Sequence, residues 1–293
     1  MKLSKEKILP VIMSALREDV ATGDITSGLV FEKDINVMAD IIVKEECVLA
    51  GLDVARWVFN AMDERIIFNP LYKDGERPKK GKKIISLRGS AKNILSGERV
   101  ALNFLGRVSG IATLTEEFVK KVKTKGVEIL DTRKTTPGMR ELEKYAVRMG
   151  GGTNHRMGLW DSILIKDNHL EGVQRVAGYT SSLRAIKDTV GKAKSKGCKN
   201  VEIEVNNLKE YNEALEADAD IIMLDNMKIE DIRKAVRLNK SRSKGRGSRS
   251  VLEASGNVTL ENIQSLAKTG VDRISIGSLT HSAPSIDFSL EIR

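Results

Sequence analysis

Positively charged side chains directly follow two short apolar runs in the middle of the chain. The run 127–130 leads into the sequence DTRK (131–134), and the run 162–165 leads to Lys166. The cations in these positions are Arg133, Lys134 and Lys166. Cations at the ends of buried strands predict a pocket for a small polyanion. An ordinary charged surface is the alternative, but it does not explain cations that come immediately after strands.

A helix and a glycine hinge are predicted between these two runs. Helical spacing covers 139–149, and we interpret its charges as an exposed face with ordinary salt bridges. Those charged residues are Arg140, Glu141, Glu143, Lys144 and Arg148. The glycines at 150–152 then lead to Arg156. Like Arg99 and Arg133, this side chain suits bidentate contact with a carboxylate.

Three carboxylates occupy similar positions in later apolar runs. Glu202 and Glu204 are two residues apart in VEIEV, so both side chains share one face of the strand, and Asp225 ends the run IIMLD. Two acids at strand ends suit magnesium, which prefers few protein ligands together with water and phosphate oxygens. Structural salt bridges to Lys134 or Lys166 remain the alternative, since an unpaired buried carboxylate is unfavourable.

Two glycine turns follow the last two predicted strands. Backbone N–H groups at glycines and at helix N-termini bind anions, and the last two strands of a barrel often hold phosphate in this way. The first turn precedes a helix that we predict from Thr259. The candidate residues are Ser255, Gly256, Asn257, Gly277, Ser278 and His281. Ordinary strand-to-helix turns are the alternative. Together the patterns predict two anionic substrates, one phosphorylated and bound to a metal, the other a carboxylate.

Regular alternation of β-branched runs and amphipathic helices positions these residues. The runs are 128–131, 162–166, 201–205, 220–225, 251–255 and 272–277, and the helices between them include 139–149, 181–196, 207–216, 228–238 and 259–269. Repeated βα units predict parallel strands, in an open doubly wound sheet or a closed barrel. Polar groups follow all six runs, which favours a barrel, because all strands of a barrel open on one rim.

The first third of the chain lacks this regular alternation and predicts a small α+β domain. Helices are predicted at 5–18, 51–62 and 91–106, strands at 36–43, 47–50 and 82–87, and a polar loop at 18–26.

Composition limits the class of protein. The 293 residues are 41% apolar and 30% charged, and no apolar run reaches the roughly 18 residues that span a bilayer. The N-terminus lacks the apolar core of a signal peptide, so we expect a cytoplasmic protein. Cys47 and Cys198 are too few for a disulfide framework or a zinc site, so any metal should be a hard cation.

The net charge of +9 has a local source. Residues 237–250 contain six Lys or Arg and no acid. Within this segment, residues 240–250 include no aromatic residue that could stack on bases. We therefore predict a solvated, mobile surface loop and not a nucleic-acid tail.

The combined motifs resemble the quinolinate phosphoribosyltransferase family over nearly the whole chain. They are EDVATGDIT (18–26), ERVALNFLGRVSGIAT (98–113), DTRKTTPG (131–138), KYAVRMGGGTNHRMGLWDSILIKDNH (144–169), VEIEV (201–205), MLDN (223–226), EASGNVTLENI (253–263) and GVDRISIGSLTHSAPSIDFSLEI (270–292). The resemblance implies an N-terminal open-faced sandwich domain, 1–107 joined by 282–293. It also implies an incomplete α/β barrel of six to seven parallel strands, 108–281.

The resemblance also implies an activity and its residues. A phosphoribosyl group would pass from phosphoribosyl pyrophosphate to quinolinate with decarboxylation, in the biosynthesis of NAD. Quinolinate-binding positions would be Arg133, His155, Arg156 and Lys166, with Arg99 supplied by the neighbouring subunit of a homodimer. A hexamer is the larger assembly that the resemblance implies. Phosphoribosyl pyrophosphate and magnesium would contact Lys134, Glu204, Asp225, Ser255, Gly256, Gly277 and His281. Thr132, Asn257 and Ser278 lie in the same motifs.

Within this set we expect Lys134, Lys166, Glu204 and Asp225 to be catalytic, and Glu204 and Asp225 to hold magnesium. The basic insert at 240–250 departs from the family pattern. Three other functions stay open: a related pyrophosphorylase of molybdenum-transport operons with another acceptor, a Schiff-base lyase using Lys166, and a nucleic-acid binder using 237–250.

Overall fold

A computed structural model of the chain describes residues 3–243 and 249–293. The helices are α1 (Lys5–Val20), α2 (Ile25–Val30), α3 (Leu52–Met62), α4 (Ala91–Lys121), α5 (Arg140–Met149), α6 (Asp167–Ala177), α7 (Ser182–Ser195), α8 (Leu208–Glu216), α9 (Ile229–Ser243), α10 (Ile263–Ala267) and α11 (Ser278–His281). The strands are β1 (Asn36–Val43), β2 (Ile67–Pro70), β3 (Lys83–Ser90), β4 (Glu128–Leu130), β5 (Leu164–Ile165), β6 (Glu202–Val205), β7 (Ile221–Asp225), β8 (Val251–Ser255), β9 (Arg273–Ser275) and β10 (Phe288–Ile292).

The chain forms two compact units. Unit 1 comprises Met1–Glu117, Lys134–Gly152 and Ser278–Arg293, and unit 2 comprises Phe118–Arg133 and Thr153–Gly277. These units differ from the predicted domains, because residues 108–117 and 134–152 group with the N-terminal part of the chain. The boundary at residue 107 therefore stays a prediction.

Unit 1 is built on an antiparallel sheet with the strand order β10-β1-β3-β2. β1 has the bounds that its sequence predicts, and the C-terminal strand pairs with it from Ala39↔Ile292 to Val43↔Phe288. The amphipathic helix α3 buries Val54, Val58 and Phe59 on one face. Unit 1 is thus the expected α+β layer of helices and one sheet.

Unit 2 is a parallel sheet with the strand order β4-β9-β8-β7-β6-β5. Its central strands are nearly all buried, as expected for β-branched runs covered by helices. The order is that of a six-stranded barrel opened between its first two strands. This confirms the barrel that the strand pattern favours and the incomplete closure that the family resemblance implies.

The opening of the barrel lies between β4 and β5, the two edge strands. β5 has only two residues, which leaves little backbone for a pairing with β4. Thr153 instead forms an isolated parallel bridge with Leu130, and its N–H donates to the Ile129 carbonyl at 2.7 Å. The segment after the glycine hinge thus takes the place beside β4 that a closing strand would take.

The predicted strand at 47–50 is wrong. The segment is buried, but its N–H groups are bound from outside any sheet. The Val48 N–H donates to the Thr113 hydroxyl at 2.9 Å, and the Ala50 N–H donates to the Ser109 hydroxyl at 3.0 Å. Both acceptors belong to α4, which has 31 residues and extends well past the predicted end at 106.

Other element predictions need smaller corrections. α6 occupies 167–177, where no element was predicted, and α2 and β2 were also not predicted. α9 continues through Ser243, so part of the basic stretch 240–250 is helical and not loop. Residues 244–248 lie outside the described residues. No helix among the described residues has the length and apolarity needed to cross a membrane.

Candidate active site

The Asp131 carboxylate fixes the loop that follows the glycine hinge. Asp131 is fully buried and comes directly after β4. One oxygen accepts the backbone N–H of His155 at 2.9 Å, and the other accepts the side-chain amide of Asn154 at 2.6 Å. No function was predicted for Asp131, although its position directly after a buried strand is the signal that marks it.

The positive charge of Arg133 affects the pKa of Arg156 at this end of the parallel sheet. Arg156 is largely buried, and its Nη1 donates to the Ser162 carbonyl at 2.9 Å. Burial lowers the pKa of Arg156, and the positive charge of Arg133 lowers that pKa further. Two cations in a partly desolvated place gain from a bound anion. The arrangement suits a carboxylate ligand.

His155, Glu202 and Glu253 form a buried cluster. The His155 Nε2 lies 3.3 Å from the Glu202 carboxylate and 3.6 Å from Glu253 Oε1. β6 carries Glu202 and β8 carries Glu253, and β7 lies between these strands. Side chains of strands that are not neighbours meet only on the concave side of a curved sheet. The cluster therefore lies inside the open barrel.

Glu253 is the most strongly perturbed acid of the cluster. Its side chain is completely buried, and neither of its oxygens has a hydrogen-bond partner among the described residues. Burial raises the pKa of Glu253 to about 7, and the negative charge of Glu202 acts in the same direction. His155 and Arg273 oppose this rise. Glu253 therefore retains a proton far above the pH at which an exposed glutamate loses it.

Lys166 and Glu204 form the second charged contact of the barrel. Lys166 precedes α6, and its Nζ lies 2.6 Å from Glu204 Oε2. The salt bridge considered as an alternative for Glu204 is thus present. The Lys166 nitrogen that a Schiff-base lyase would use as its nucleophile is thus held by a carboxylate, which argues against the lyase alternative.

Asn226 joins the end of β7 to the glycine turn after β8. Its side-chain nitrogen donates to Asp225 Oδ2 at 2.8 Å, and its side-chain oxygen accepts from Asn257 Nδ2 at 3.0 Å. The Asn226 N–H donates to the Ser255 carbonyl at 2.9 Å. A Cβ atom at Gly256 would overlap the Asn226 amide. Asn226 therefore links the Asp225 carboxylate to the glycine turn. This role of Asn226 was not predicted from the sequence.

The remaining candidates are distributed over both units. Thr132 and Gly277 are half-buried in unit 2. Arg99 is exposed on α4, and Lys134 is exposed while its carbonyl accepts the Thr280 hydroxyl at 2.7 Å. Ser278 and His281 begin and end α11. Arg99, Lys134, Ser278 and His281 belong to unit 1. Within unit 2 the structure links Arg133 with Arg156, Lys166 with Glu204, and Asp225 with Asn257 through Asn226. The functions of all the candidates stay predictions.

Two local predictions around the site are wrong. Glu143 and Lys144 were expected on an exposed helix face, but both are fully buried in α5. The helix expected from Thr259 begins at Ile263 and has five residues. The turn at Gly256 is therefore not a helix N-terminus. Any anion there would be bound by the turn itself.

Two groups of side chains offer metal ligands. Glu204 and Asp225 supply hard oxygen atoms at the ends of the neighbouring strands β6 and β7. His155, Glu202 and Glu253 offer ligand atoms within 4.8 Å of one another. The first pair lies at the strand ends, whereas Glu202 and Glu253 lie deeper. The first pair is the better candidate for a metal that meets a substrate.

Comparisons with known proteins cover both parts of the chain. The family model for the N-terminal domain of quinolinate phosphoribosyl transferase matches residues 24–109, and the model for the C-terminal domain matches residues 111–291. The chain is 42% identical to a probable carboxylating nicotinate-nucleotide pyrophosphorylase of Bacillus subtilis, over 94% of this chain and 90% of that protein. It is 40% identical to a protein of the same description from Methanocaldococcus jannaschii, over 98% of each.

A solved structure is also similar along its length. The nicotinate-nucleotide pyrophosphorylase of Francisella tularensis matches with a TM-score of 0.89 and 40% identity, over 100% of this chain and 98% of that chain.

Proposed function

The chain belongs to the quinolinate phosphoribosyltransferase family, and we propose that it transfers a phosphoribosyl group from phosphoribosyl pyrophosphate to quinolinate. The products would be nicotinate mononucleotide, CO₂ and pyrophosphate, in the biosynthesis of NAD. One observation carries this proposal: cations and carboxylates converge at the carboxyl ends of strands in one parallel sheet. Active sites of related barrels lie at that end.

Quinolinate carries two carboxylates, and the cations of unit 2 suit them. Arg133 and Arg156 provide guanidinium groups for bidentate contacts, and Lys166 provides a point charge. With the diacid held, the ring nitrogen attacks the anomeric carbon, and the bond from that carbon to the pyrophosphate oxygen breaks with its electron pair. The contribution of the protein is to orient two reactants and to stabilise charge, which is worth several kcal/mol.

Decarboxylation follows from the charge of the adduct. Once alkylated, the ring nitrogen is positive, and the bond between ring carbon 2 and its carboxylate can break. The electron pair left on that carbon is stabilised by the adjacent positive nitrogen until the carbon accepts a proton. We expect Arg133 and Lys166 to orient the two carboxylates during this step.

Magnesium fits the acids at the strand ends. Glu204 is nearly buried and Asp225 is half-buried, and both offer oxygen atoms, which this cation prefers. When bound, magnesium would neutralise charge on the departing pyrophosphate. Glu204 and Asp225 would hold the ion, with few other protein ligands. The turn at Ser255, Gly256 and Asn257 suits phosphate, because a glycine lets the backbone approach an anion closely. The side chain of Asn226 links this turn to Asp225.

We also propose a homodimer in which Arg99 reaches the site of the neighbouring subunit. Arg99 is exposed on α4, which agrees with a role outside its own subunit. Assembly into a hexamer stays a prediction.

The decisive experiment is an assay of CO₂ release from quinolinate with the purified protein, with and without magnesium. We expect release that requires quinolinate, phosphoribosyl pyrophosphate and magnesium together. The molybdenum-linked alternative predicts no release. Replacement of Arg133 by Ala should raise the KM for quinolinate greatly without loss of the fold. Unchanged kinetics in this variant would remove Arg133 from the site.

A further inference from the structure

The main chain of Lys166 is held by the first turn of α6. The Lys166 N–H donates to Nδ1 of His169 at 2.9 Å. The Lys166 carbonyl accepts the N–H groups of His169 at 2.9 Å and of Leu170 at 3.1 Å. Leu170 is buried, whereas His169 is exposed. Both polar groups of the Lys166 main chain are therefore bound by a turn that a buried side chain anchors.

The place of Lys166 in the sheet explains why the acceptor comes from a helix. β5 is an edge strand of two residues, and it pairs with β6 through Leu164 and Ile165. Lys166 follows the last paired residue, and its backbone is still extended, with φ −111° and ψ 166°. The ladder ends before Lys166, so the His169 ring supplies the bond that a neighbouring strand would supply further along a longer sheet.

The contact between His169 and Lys166 corresponds to one half of a capping box. In that motif the side chain of the third helical residue, usually Glu or Gln, accepts the N–H of the residue before the helix. His169 is the third residue of α6, and Lys166 precedes the helix. An imidazole nitrogen that accepts a hydrogen bond carries no proton. His169 thus provides the acceptor without the negative charge that Glu would place beside the Lys166 ammonium group.

A fixed main chain matters for Lys166 because its side chain is long and only partly enclosed. The Lys166 side chain is 43% exposed, and its Nζ lies 2.6 Å from Glu204 Oε2 on β6. Lysine has a flexible four-carbon stem, so an ammonium group in one place costs side-chain entropy. The direction in which the stem leaves the main chain therefore decides which groups Nζ reaches.

We propose that His169 is a positioning residue for Lys166. By accepting the Lys166 N–H, it fixes the main chain from which the ammonium group reaches Glu204 and a carboxylate of quinolinate. The inference rests on the proposed function, in which Lys166 binds quinolinate. It assigns His169 no contact with either substrate.

Two substitutions of His169 separate the hydrogen-bond acceptor from the ring. The amide oxygen of Gln can accept the Lys166 N–H, as in a capping box, whereas Ala has no acceptor. In calorimetric titrations with quinolinate, we expect His169→Ala to bind about five- to tenfold more weakly and His169→Gln to stay within about twofold of the unaltered protein. Unchanged binding in His169→Ala, or equal weakening in both variants, would overturn the proposal.

The control for a general loss of stability is Ser181→Ala on the neighbouring helix α7. The Ser181 hydroxyl caps this helix by accepting the Leu183 N–H at 3.2 Å. Because His169 is exposed, its variants should fold, and His169→Ala and Ser181→Ala should both lower the midpoint of thermal unfolding by a few degrees. Quinolinate binding should be unchanged in Ser181→Ala. Equal weakening there would make the effect of His169→Ala a general one and would refute the positioning role.

A positioning residue acts only through the group that it positions. In a Lys166→Met background, His169→Ala should therefore cause no further loss of quinolinate binding. Additive losses in the double variant would mean that His169 acts on quinolinate independently of Lys166, and the proposal would be wrong.

Crystal structures of the two His169 variants test the position of Lys166 without any substrate. We expect Nζ to stay within hydrogen-bond distance of Glu204 in His169→Gln and to leave it in His169→Ala. An unmoved Lys166 in His169→Ala would contradict the proposal. If the unaltered protein binds no quinolinate, the proposed function fails, while these structures still show whether His169 holds Lys166.

Discussion

Arg107 and Glu143 form an ion pair that ties together three segments of unit 1. Arg107 Nη2 lies 2.8 Å from Glu143 Oε1, and Glu143 is completely buried. Glu143 also accepts the N–H and the hydroxyl of Thr136. Arg107 donates to the carbonyls of Ala283 and Thr280. The pair thus joins α4 and α5 to the segments around Thr136 and Thr280.

Removal of Glu143 should therefore be strongly destabilising. Breaking a buried ion pair on one side leaves an uncompensated charge and costs about 3–5 kcal/mol. We expect Glu143→Ala to lower the free energy of unfolding by about this amount, measured by urea denaturation.

The matched control for this prediction is Glu141→Ala on the same helix. Glu141 is partly exposed and 3.8 Å from Lys7, so its loss should change stability by less than about 1 kcal/mol. Equal effects of the two variants would mean that the pair does not stabilise unit 1. In the double variant Arg107→Met with Glu143→Leu, much of the lost stability should return, because no unpaired charge remains.

The Arg107–Glu143 pair also shows why part of the structure could not be predicted. The helix pattern at 139–149 located α5 to within a residue. It could not show that Glu143 is buried, because the partner is 36 residues away and on another helix. Single side chains of this kind depend on tertiary contacts that local spacing does not contain.

The parallel strands could be predicted because the features that mark them are local in the sequence. Each is a short apolar run with polar residues at its end, as in IIMLD, and these local features placed β6, β7 and β8 within one residue. The position of the barrel opening was not visible in the runs, because 128–131 and 162–166 look like their neighbours. The segment 47–50 is equally apolar, but the N–H groups of Val48 and Ala50 donate to hydroxyls of α4 and not to a neighbouring strand.

Glu253 should make stability depend on pH. Its pKa in the folded protein is raised to about 7 from an ordinary value of 4.5, so the folded state holds the proton more tightly than the unfolded state. The resulting stabilisation is complete below about pH 4.5 and is lost as the pH rises through about 7. We expect the Glu253→Gln variant, which stays neutral, to gain ~3 kcal/mol relative to the unaltered protein between these limits, since each pKa unit corresponds to about 1.4 kcal/mol.

Urea denaturation at a series of pH values measures this difference. Glu230→Gln on α9 is the control, because Glu230 is exposed and its replacement should leave the pH profile unchanged. A constant difference between Glu253→Gln and the unaltered protein across the range would show that Glu253 does not titrate as inferred.

Lys166 should compete with magnesium for Glu204. The ammonium group lies 2.6 Å from the carboxylate that we propose as a ligand. Replacement of Lys166 by Met should therefore tighten the binding of magnesium alone by about five- to tenfold, since a half-exposed pair is worth ~1 kcal/mol. Calorimetric titration with magnesium measures the change.

A second lysine separates this local effect from the general loss of positive charge. Lys194 is paired with Asp220 at 2.5 Å and has similar exposure, so Lys194→Met serves as the control. Equal gains in both variants, or no loss of binding in Glu204→Gln, would exclude Glu204 as a ligand.

Gly256 should be required for phosphate binding. Its φ of +91° favours glycine, and a Cβ atom there would lie within 2.7 Å of the Asn226 amide nitrogen. Since Asn226 also binds Asp225, alanine at 256 should displace the turn and the Asp225 carboxylate together. We expect Gly256→Ala to raise the KM for phosphoribosyl pyrophosphate by about tenfold or more, with a smaller change for quinolinate.

An alanine at a position with positive φ strains the backbone even when it displaces no neighbour. Gly178→Ala is the control that measures the effect of this strain alone. Gly178 ends α6 with a φ of +67°, and a Cβ atom there would meet nothing within 4 Å. Gly178→Ala should cost about 1 kcal/mol of stability through strain, with unchanged KM values. If Gly256→Ala behaves in the same way, the turn does not bind the phosphorylated substrate, because only a lost contact with that substrate raises its KM selectively.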